Sequence, residues 1–296
     1  MNKDELKKFV LDNPRLVSMK PAGDGIYVLK YSKRVFYDNL WCDELEHCRG
    51  TIVDKDFNIV SYPFQKIYNY GVEDKSPVLA DDTIVECFRK VNGFMVAVTW
   101  HDGRLLVSTT GSTANDYVDM ANSFIDRRRE TFERYVSGFP DLTFMFECVH
   151  ENDPHIIVEK PGLYYLGSRE KTWESLARND GHDLIHQYAL SDHMVEWKRC
   201  TLGEVLREVK TVRHEGFVFY ADDFRVSAKI KSPYYLTAKW VARNPRTDKL
   251  MTREFKEQLD EEYYPLLEHI RSNIVKYTAL DEQARLAWVR EYLETV

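Results

Sequence analysis

An α+β fold built on antiparallel sheets is predicted for this chain of 296 residues by three observations. Short stretches of alternating hydrophobicity recur in pairs joined by tight-turn residues. Segments with helical spacing fall between these pairs rather than after every strand. From about residue 240 the texture changes to helix alone. Hairpins in series, with helices interspersed, give antiparallel sheets, whereas regular alternation of strand and helix gives a parallel one.

Leu6, Phe9 and Val10 lie on one face of a short opening helix, and "GIYVLKY" reads as a strand. "GTIVDKDFNIVSY" reads as a hairpin turning through residues 55–58. "FMVAVTWHDGRLLVSTT" is a second hairpin, with the turn-forming pair Asp102 and Gly103 between alternating runs. Helical spacing covers residues 115–136 and 201–209. "FMFECV", "IIVEK" and "LYYLGSR" read as strands, with Pro161 and Gly162 as a tight turn, and "GFVFYADDFRVSAKIK" is a last hairpin around Asp222 and Asp223. In the tail, Leu266, Ile270, Ile274 and Tyr277 have helical spacing. Thr278 and Asp281 read as a capping box for a helix carrying Leu286, Val289 and Leu293. No repeat or low-complexity linker is present, so residues 1–239 are expected to form one domain and 240–296 a small helical appendage.

Composition narrows the class. The chain is 44% hydrophobic and 30% charged, which is ordinary soluble composition, and no apolar run is long enough for a membrane span. The acidic residues in "MNKDELKKFV" do not suit a signal peptide. The five cysteines are scattered and include no CxxC pair, so reduced thiols in a cytoplasm are expected. A formal net charge of −7 excludes a protein that grips nucleic acid over its whole surface. Polyanions must meet local basic sites, for which "YSKR" at 31–34, "DRRRE" at 126–130 and "VKTVRH" at 209–214 are the candidate runs, each also readable as a solvated face.

The stretch "CFRKVNGFMVAVTW" places Lys90, Asn92 and Gly93 where a strand should already be running. Glycine there lets the backbone approach closely to whatever occupies the space in front of it. In "RVSAKIKS", alternation puts Val226, Ala228 and Ile230 on one face and Ser227, Lys229 and Lys231 on the other. The two lysines are then about 7 Å apart, a spacing suited to a phosphate chain. Glu215 and Gly216 stand at the mouth of the partner strand. Glu147 lies mid-strand on the face opposite Phe144, Phe146 and Cys148, where a carboxylate needs a partner.

Taken in order, these segments resemble the motifs of the covalent nucleotidyltransferases, and within them the bacteriophage RNA ligase 1 family of tRNA-repair type. "KVNG", "FMFE", "LYYLGSRE", "HEGFVFY" and "AKIKS" are similar to its successive motifs, and "HCRGTIVD" and "YPFQKIYNYG" to its upstream segments, over roughly residues 27–235. The resemblance implies an antiparallel-sheet nucleotidyltransferase domain of ATP-grasp-like ligase type. It implies an ATP-dependent RNA ligase that joins 5′-phosphate and 3′-hydroxyl RNA ends with Mg²⁺ or Mn²⁺. Lys90 would be the nucleophile that takes AMP. Arg49 and Lys66 would hold the triphosphate tail, and Tyr31 would line the nucleotide site. Lys229 and Lys231 would hold the α-phosphate, with Asn92 and Gly93 beside the nucleophile. Glu147 would meet the ribose or a metal-bound water, Tyr164 or Leu166 the adenine, and Glu215 a metal. Thr110 stands where the family pattern has a lysine, and after Ser232 no segment matches the family's tRNA-specificity domain. A monomer in the cytoplasm, of the host cell if the protein is viral, is the expected state.

The chemistry is consistent with those residue types. A free lysine is about 99.9% protonated near neutral pH, so a nucleophilic lysine needs neighbouring cations or desolvation to shed its proton. No GxxxxGK[ST] loop or kinase signature is present, so side-chain cations must bind the phosphates. Alternatives are a DNA ligase or capping-type nucleotidyltransferase, or a nucleotide- or RNA-binding protein without catalysis. Capping enzymes and DNA ligases carry an arginine shortly after the motif glycine, where this chain has Phe94, Met95 and Val96. Cys148 with His150 as a thiol centre, and His182 with His186 as metal ligands near Asp183 and His193, are weaker candidates.

Overall fold

The computed structural model describes residues 2–23, 25–72, 74–153, 155, 157–176, 189–243, 249–257, 259 and 263–295. Thirteen described strands run in chain order as β1 (Val17–Pro21), β2 (Ile26–Tyr31), β3 (Arg49–Asp54), β4 (Ile59–Ser61), β5 (Tyr68–Asn69), β6 (Ile84–Arg89), β7 (Phe94–His101), β8 (Arg104–Ser108), β9 (Leu142–Val149), β10 (Gly162–Glu170), β11 (Trp197–Thr201), β12 (Gly216–Ala221) and β13 (Val226–Lys231). They form three sheets, ordered β1-β2-β3-β4, β10-β9-β7-β8 and β11-β6-β12-β13-β5. Every pairing is antiparallel except that of β13 with the two-residue β5. The expected α+β class with antiparallel sheets is the observed one.

The chain forms two compact units, one of residues 1–66 and 91–196, the other of residues 67–90 and 197–296. In the first, the opening helix Lys3–Asp12 buries Leu6 and Val10 with Leu29, Val53 and Phe57 against one face of the first sheet. Its start is fixed by a capping box between Asn2 and Glu5. The helices Asp116–Ile125 and Arg129–Ser137 pack Ala121, Ile125, Phe132 and Val136 on Val96, Phe144, Phe146 and Leu163 of the second sheet. These eight belong to a cluster of fifteen buried side chains, whose burial is the main stabilising term of that layer. The turn of the β7–β8 hairpin has Asp102 at φ 47 and Gly103 at φ 74, the left-handed pair that a two-residue hairpin requires.

One predicted strand does not form. Residues 157–160 of "IIVEK" are irregular, because β10 itself takes the place beside β9, pairing from Gly162 with Val149 to Glu170 with Leu142. Val158, 92% exposed, has no face to bury.

A buried polar group ties the first unit together. His47 Nδ1 lies 2.6 Å from the Tyr62 hydroxyl, and the Arg169 guanidinium covers the Tyr62 ring at 3.4 Å while donating to the Pro63 and Ser175 carbonyls. Burial, with the nearby Arg169 charge, lowers the His47 pKa to about 4. His47 is therefore neutral in the folded chain where an unfolded one begins to protonate. The stability it contributes is complete above pH 6.5 and is lost as pH falls from there through about 4, a change on the order of 3 kcal/mol. Melting temperatures of the wild type and His47→Gln, compared at pH 7.5 and pH 4.5, should converge at the lower pH.

In the second unit the helix Leu202–Glu208, capped by Thr201 and Glu204, covers Val85, Cys87, Phe217, Phe219 and Ala228 of the five-stranded sheet. The helix Pro233–Arg243 comes directly after β13, and its Trp240 donates to the Tyr277 hydroxyl at 3.0 Å. The helices Tyr264–Ser272 and Ile274–Ala279 bury Leu266, Ile270 and Tyr277 as the spacing predicts. Thr278 does not cap the final helix, Glu282–Thr295, because its hydroxyl bonds back to the Ile274 carbonyl at 2.9 Å as the last turn of its own helix. Asp281 is the cap of that final helix, accepting from the Ala284 N–H at 2.8 Å.

Candidate active site

The boundary between the two units falls between Lys90 and Val91. β6 ends at Arg89, so Lys90 stands just past a strand rather than at the start of one, in the link to β7. Its N–H donates to the Gly216 carbonyl at 2.9 Å, which continues the β6–β12 ladder by one rung.

In the second unit, three of the predicted residues come together. Lys90 Nζ is 3.1 Å from Glu215 Oε2, and Lys231 Nζ is 3.7 Å from Glu215 Oε1. The Glu215 side chain is 4% exposed, that of Lys231 10% and that of Lys90 21%. One carboxylate thus faces two ammonium groups, a trio with net positive charge held largely away from water. Lys229 lies two residues along β13, opposite Val218, while Phe217, Phe219, Ala228 and Ile230 take the other, core-facing side. The alternation read from "RVSAKIKS" is the observed one. Gly216 makes the crossing possible, with φ +137 and a position where a Cβ would be 2.1 Å from the Ile230 carbonyl oxygen.

In the first unit, Gly93 donates its N–H to Glu147 Oε1 at 3.1 Å, which gives this 9% exposed carboxylate the partner it needs. What approaches Gly93 closely is the β9 backbone, since a Cβ there would lie 2.3 Å from the Cys148 carbonyl oxygen. Gly93→Ala is accordingly expected to destabilise the chain by on the order of 3 kcal/mol, measurable as a shift in urea midpoint. Asn92 is buried, and its side-chain oxygen accepts from the Ile157 N–H at 3.2 Å. Glu147 has Tyr164 and Met95 as cross-strand neighbours, so Tyr164 shares its face of the sheet. Leu166 is the extra residue of a β-bulge between Tyr165 and Gly167.

Arg49 begins β3 with its guanidinium against the Met95 sulfur at 3.7 Å, and Gly50 after it, at φ +91, leaves room for the backbone of Thr109 and Thr110. Lys66 is 4% exposed, its ammonium 4.9 Å from the Phe36 ring and 4.5 Å from the Trp41 ring. Tyr31 packs edge-on against both rings. Tyr31 and Lys66 therefore meet through Phe36 and Trp41, two residues not singled out in the sequence. The signal for them was available, since three aromatics, Phe36, Tyr37 and Trp41, follow within ten residues of Tyr31.

The weaker candidates fare differently. Cys148 lies in the apolar core, where burial raises its thiol to about 12 and leaves it inert. His182, Asp183 and His186 lie outside the described residues. Among the described residues there is no cluster of three or more His, Cys, Asp or Glu side chains that could hold a metal by themselves. No helix of the described residues is long and apolar enough to cross a membrane.

No protein-family model matches the chain, and no curated protein does. Solved structures do. An archaeal ATP-dependent RNA ligase matches in two forms, one at TM-score 0.61 and 17% identity over 98% of this chain and 77% of that one, the other at 0.62 and 16% over 99% and 77%. A protein of Aquifex aeolicus assigned as an ATP-dependent DNA ligase matches at TM-score 0.57 and 19% identity, over 97% of this chain and 75% of that one. The chain has the nucleotidyltransferase fold of the ATP-dependent ligases.

Proposed function

We propose that the chain is an ATP-dependent RNA ligase that joins 5′-phosphate and 3′-hydroxyl ends through lysyl-AMP and RNA-adenylate, acting in RNA repair of the tRNA type as in the bacteriophage RNA ligase 1 family. The observation that carries the reading is Lys90 held at 3.1 Å from a buried Glu215 that Lys231 also faces, at the end of β6. Residues 1–239 would perform adenylyl transfer, with 240–296 as the helical appendage.

In the first step the Lys90 amine, having shed its proton, attacks the α-phosphorus of ATP. The N–P bond forms as the bond to the bridging oxygen breaks, and pyrophosphate leaves with the electron pair. Glu215, at 3.1 Å, is placed to accept the Lys90 proton. Lys231, sharing that carboxylate, weakens its hold on the Lys90 ammonium, and with Lys229 it offsets charge on the α-phosphate in the transition state. Arg49 and Lys66 take the triphosphate tail and Tyr31 lines the site. Tyr164 or Leu166 packs on the adenine, and Glu147 meets the ribose while ordering the Gly93 backbone beside the nucleophile, with Asn92 holding the same segment. In the second step AMP passes to the RNA 5′-phosphate, and in the third the 3′-hydroxyl displaces AMP.

A single carboxylate, Glu215, without a wider ligand cluster among the described residues, fits a divalent ion that arrives largely on the substrate phosphates. When bound, Mg²⁺ or Mn²⁺ would neutralise phosphate charge and favour departure of pyrophosphate.

The similarity to the Aquifex aeolicus protein supports a second reading, a DNA ligase. Nicked duplex RNA, a broken stem-loop RNA with 5′-phosphate and 3′-hydroxyl ends, and nicked DNA offered side by side decide between them. Sealing of the broken stem-loop is expected to be fastest, and preferred sealing of nicked DNA overturns the RNA assignment.

A further inference from the structure

The basic run "VKTVRH" is not used by the adenylyl-transfer chemistry, yet its Arg213 lies two residues before Glu215. Arg213 is exposed, and its Cζ sits 5.9 Å from the ring centre of Tyr234, which is 41% exposed in the first turn of the helix Pro233–Arg243. Neither the Arg213 guanidinium nor the Tyr234 hydroxyl makes a hydrogen bond or an ion pair among the described residues. The residues around Tyr234 are fixed by packing, since Pro233, Tyr235 and Leu236 are buried.

Ser232, fully buried, sets the place of this pair. Its N–H donates to the Glu215 carbonyl at 2.9 Å, and its hydroxyl donates to the His214 carbonyl at 2.6 Å while accepting from the Tyr235 N–H at 3.1 Å. These bonds join the segment carrying Arg213 to the one carrying Tyr234, at the residue whose carboxylate faces Lys90 and Lys231. An exposed guanidinium over a tyrosine ring contributes only about 0.5–1 kcal/mol, so the fold gains little from the pair. A partly exposed ring beside a cation with no acidic partner suits a single-stranded nucleic acid, whose base stacks on the ring while its phosphate meets the charge. Arg213, Lys90 and Lys231 set against the one carboxylate Glu215 favour such a polyanion over an apolar partner.

We propose that Arg213 and Tyr234 form a stacking platform for single-stranded RNA, taking the nucleotides that follow the 5′-phosphate to be adenylated. This rests on the ligase reading for the fate of that phosphate, though not for the binding of RNA. The strand must bring its 5′-phosphate to the AMP on Lys90, and Arg213 and Tyr234 lie two residues from Glu215 and three from Lys231, so the nucleotides next to the phosphate are the ones in reach. In that step a 5′-phosphate oxygen bonds to the AMP phosphorus as the N–P bond breaks and the Lys90 amine leaves with the electron pair. The platform positions the strand and takes part in no bond change.

A 5′-phosphorylated single-stranded RNA is the probe, with binding to the full chain read by fluorescence anisotropy over a range of salt, and nucleotide capture read by self-labelling from α-labelled ATP. Tyr234→Ala is expected to weaken RNA binding roughly ten-fold, the loss of one base–ring stack, while Tyr234→Phe stays within about two-fold of the wild type. Arg213→Gln should weaken it about three- to ten-fold and flatten the salt slope by about 0.7, the share of one phosphate contact on a single strand. Self-labelling should stay level in all three variants, because the platform meets RNA and not ATP. RNA binding that is absent in the wild type, or unchanged in Tyr234→Ala and Arg213→Gln, overturns the platform, also where those variants alter sedimentation and so assign the patch to contact between copies of the chain. A Tyr234→Phe as weak as Tyr234→Ala, or a loss of melting temperature and self-labelling that parallels the loss of RNA binding, overturns it as well. RNA binding that depends on both residues in a chain that never becomes labelled upholds the platform and removes the ligase reading. A labelled wild type whose RNA binding neither variant moves does the reverse.

Discussion

Replacing Lys90 by alanine is expected to reduce covalent capture of AMP by on the order of a thousand-fold or more, to background. The side chain supplies the nitrogen of the N–P bond, and an arginine cannot replace it, so Lys90→Arg should fail equally. The fold should survive, because Glu215 keeps Lys231 as a partner and the Lys90 N–H to Gly216 bond is made by the backbone. A sharper consequence separates nucleophile from scaffold. Given RNA already carrying 5′-adenylate, only the attack of the 3′-hydroxyl remains, and that step does not need the Lys90 amine. Lys90→Ala should therefore still seal pre-adenylated RNA while failing with ATP and 5′-phosphate RNA. Failure on both substrates, in a variant with wild-type thermal stability, would assign Lys90 to RNA positioning instead.

The second large effect is expected at Glu215. With this side chain 4% exposed between two ammonium groups, Glu215→Ala removes the carboxylate that both of them face. Breaking such a buried pair costs about 3–5 kcal/mol, and the exposure of Lys90 places the expected loss near the lower figure. Activity should fall with it. The double variant Glu215→Ala with Lys231→Met removes one of the two ammonium groups that face the carboxylate and should recover part of the stability but none of the adenylation. Denaturant midpoints for the four chains of this cycle measure the coupling. A Glu215→Ala chain as stable as the wild type would mean that the carboxylate does not hold the two lysines together in solution.

Much of the fold was legible because its signals are local. The Asp102 and Gly103 turn, the hairpin around Asp222 and Asp223 and the helix that starts after Thr201 are written in a few adjacent residues, and each formed as expected. The failures arose where a distant partner decides. "IIVEK" has strand composition, yet β10 had taken the place beside β9, and nothing within five residues announces that. Thr278 has the identity of a cap but belongs to the turn before it. At the site, alternation along β13 placed Lys229 and Lys231 on one face, and Gly216 and Gly93 were legible as points of close approach. Whether the approaching group was ligand or backbone was not, and for Gly93 it is the Cys148 carbonyl. Phe36 and Trp41 escaped notice because their meaning lies in the charge they meet, that of Lys66.

The most direct measurement is the site of nucleotide attachment in the wild-type chain. After incubation with ATP and Mg²⁺ and removal of free nucleotide under denaturing conditions, peptide mass spectrometry should find AMP on Lys90 and on no other lysine. AMP on Lys229 or Lys231 instead, or a chain that carries none with either Mg²⁺ or Mn²⁺, contradicts covalent catalysis through Lys90.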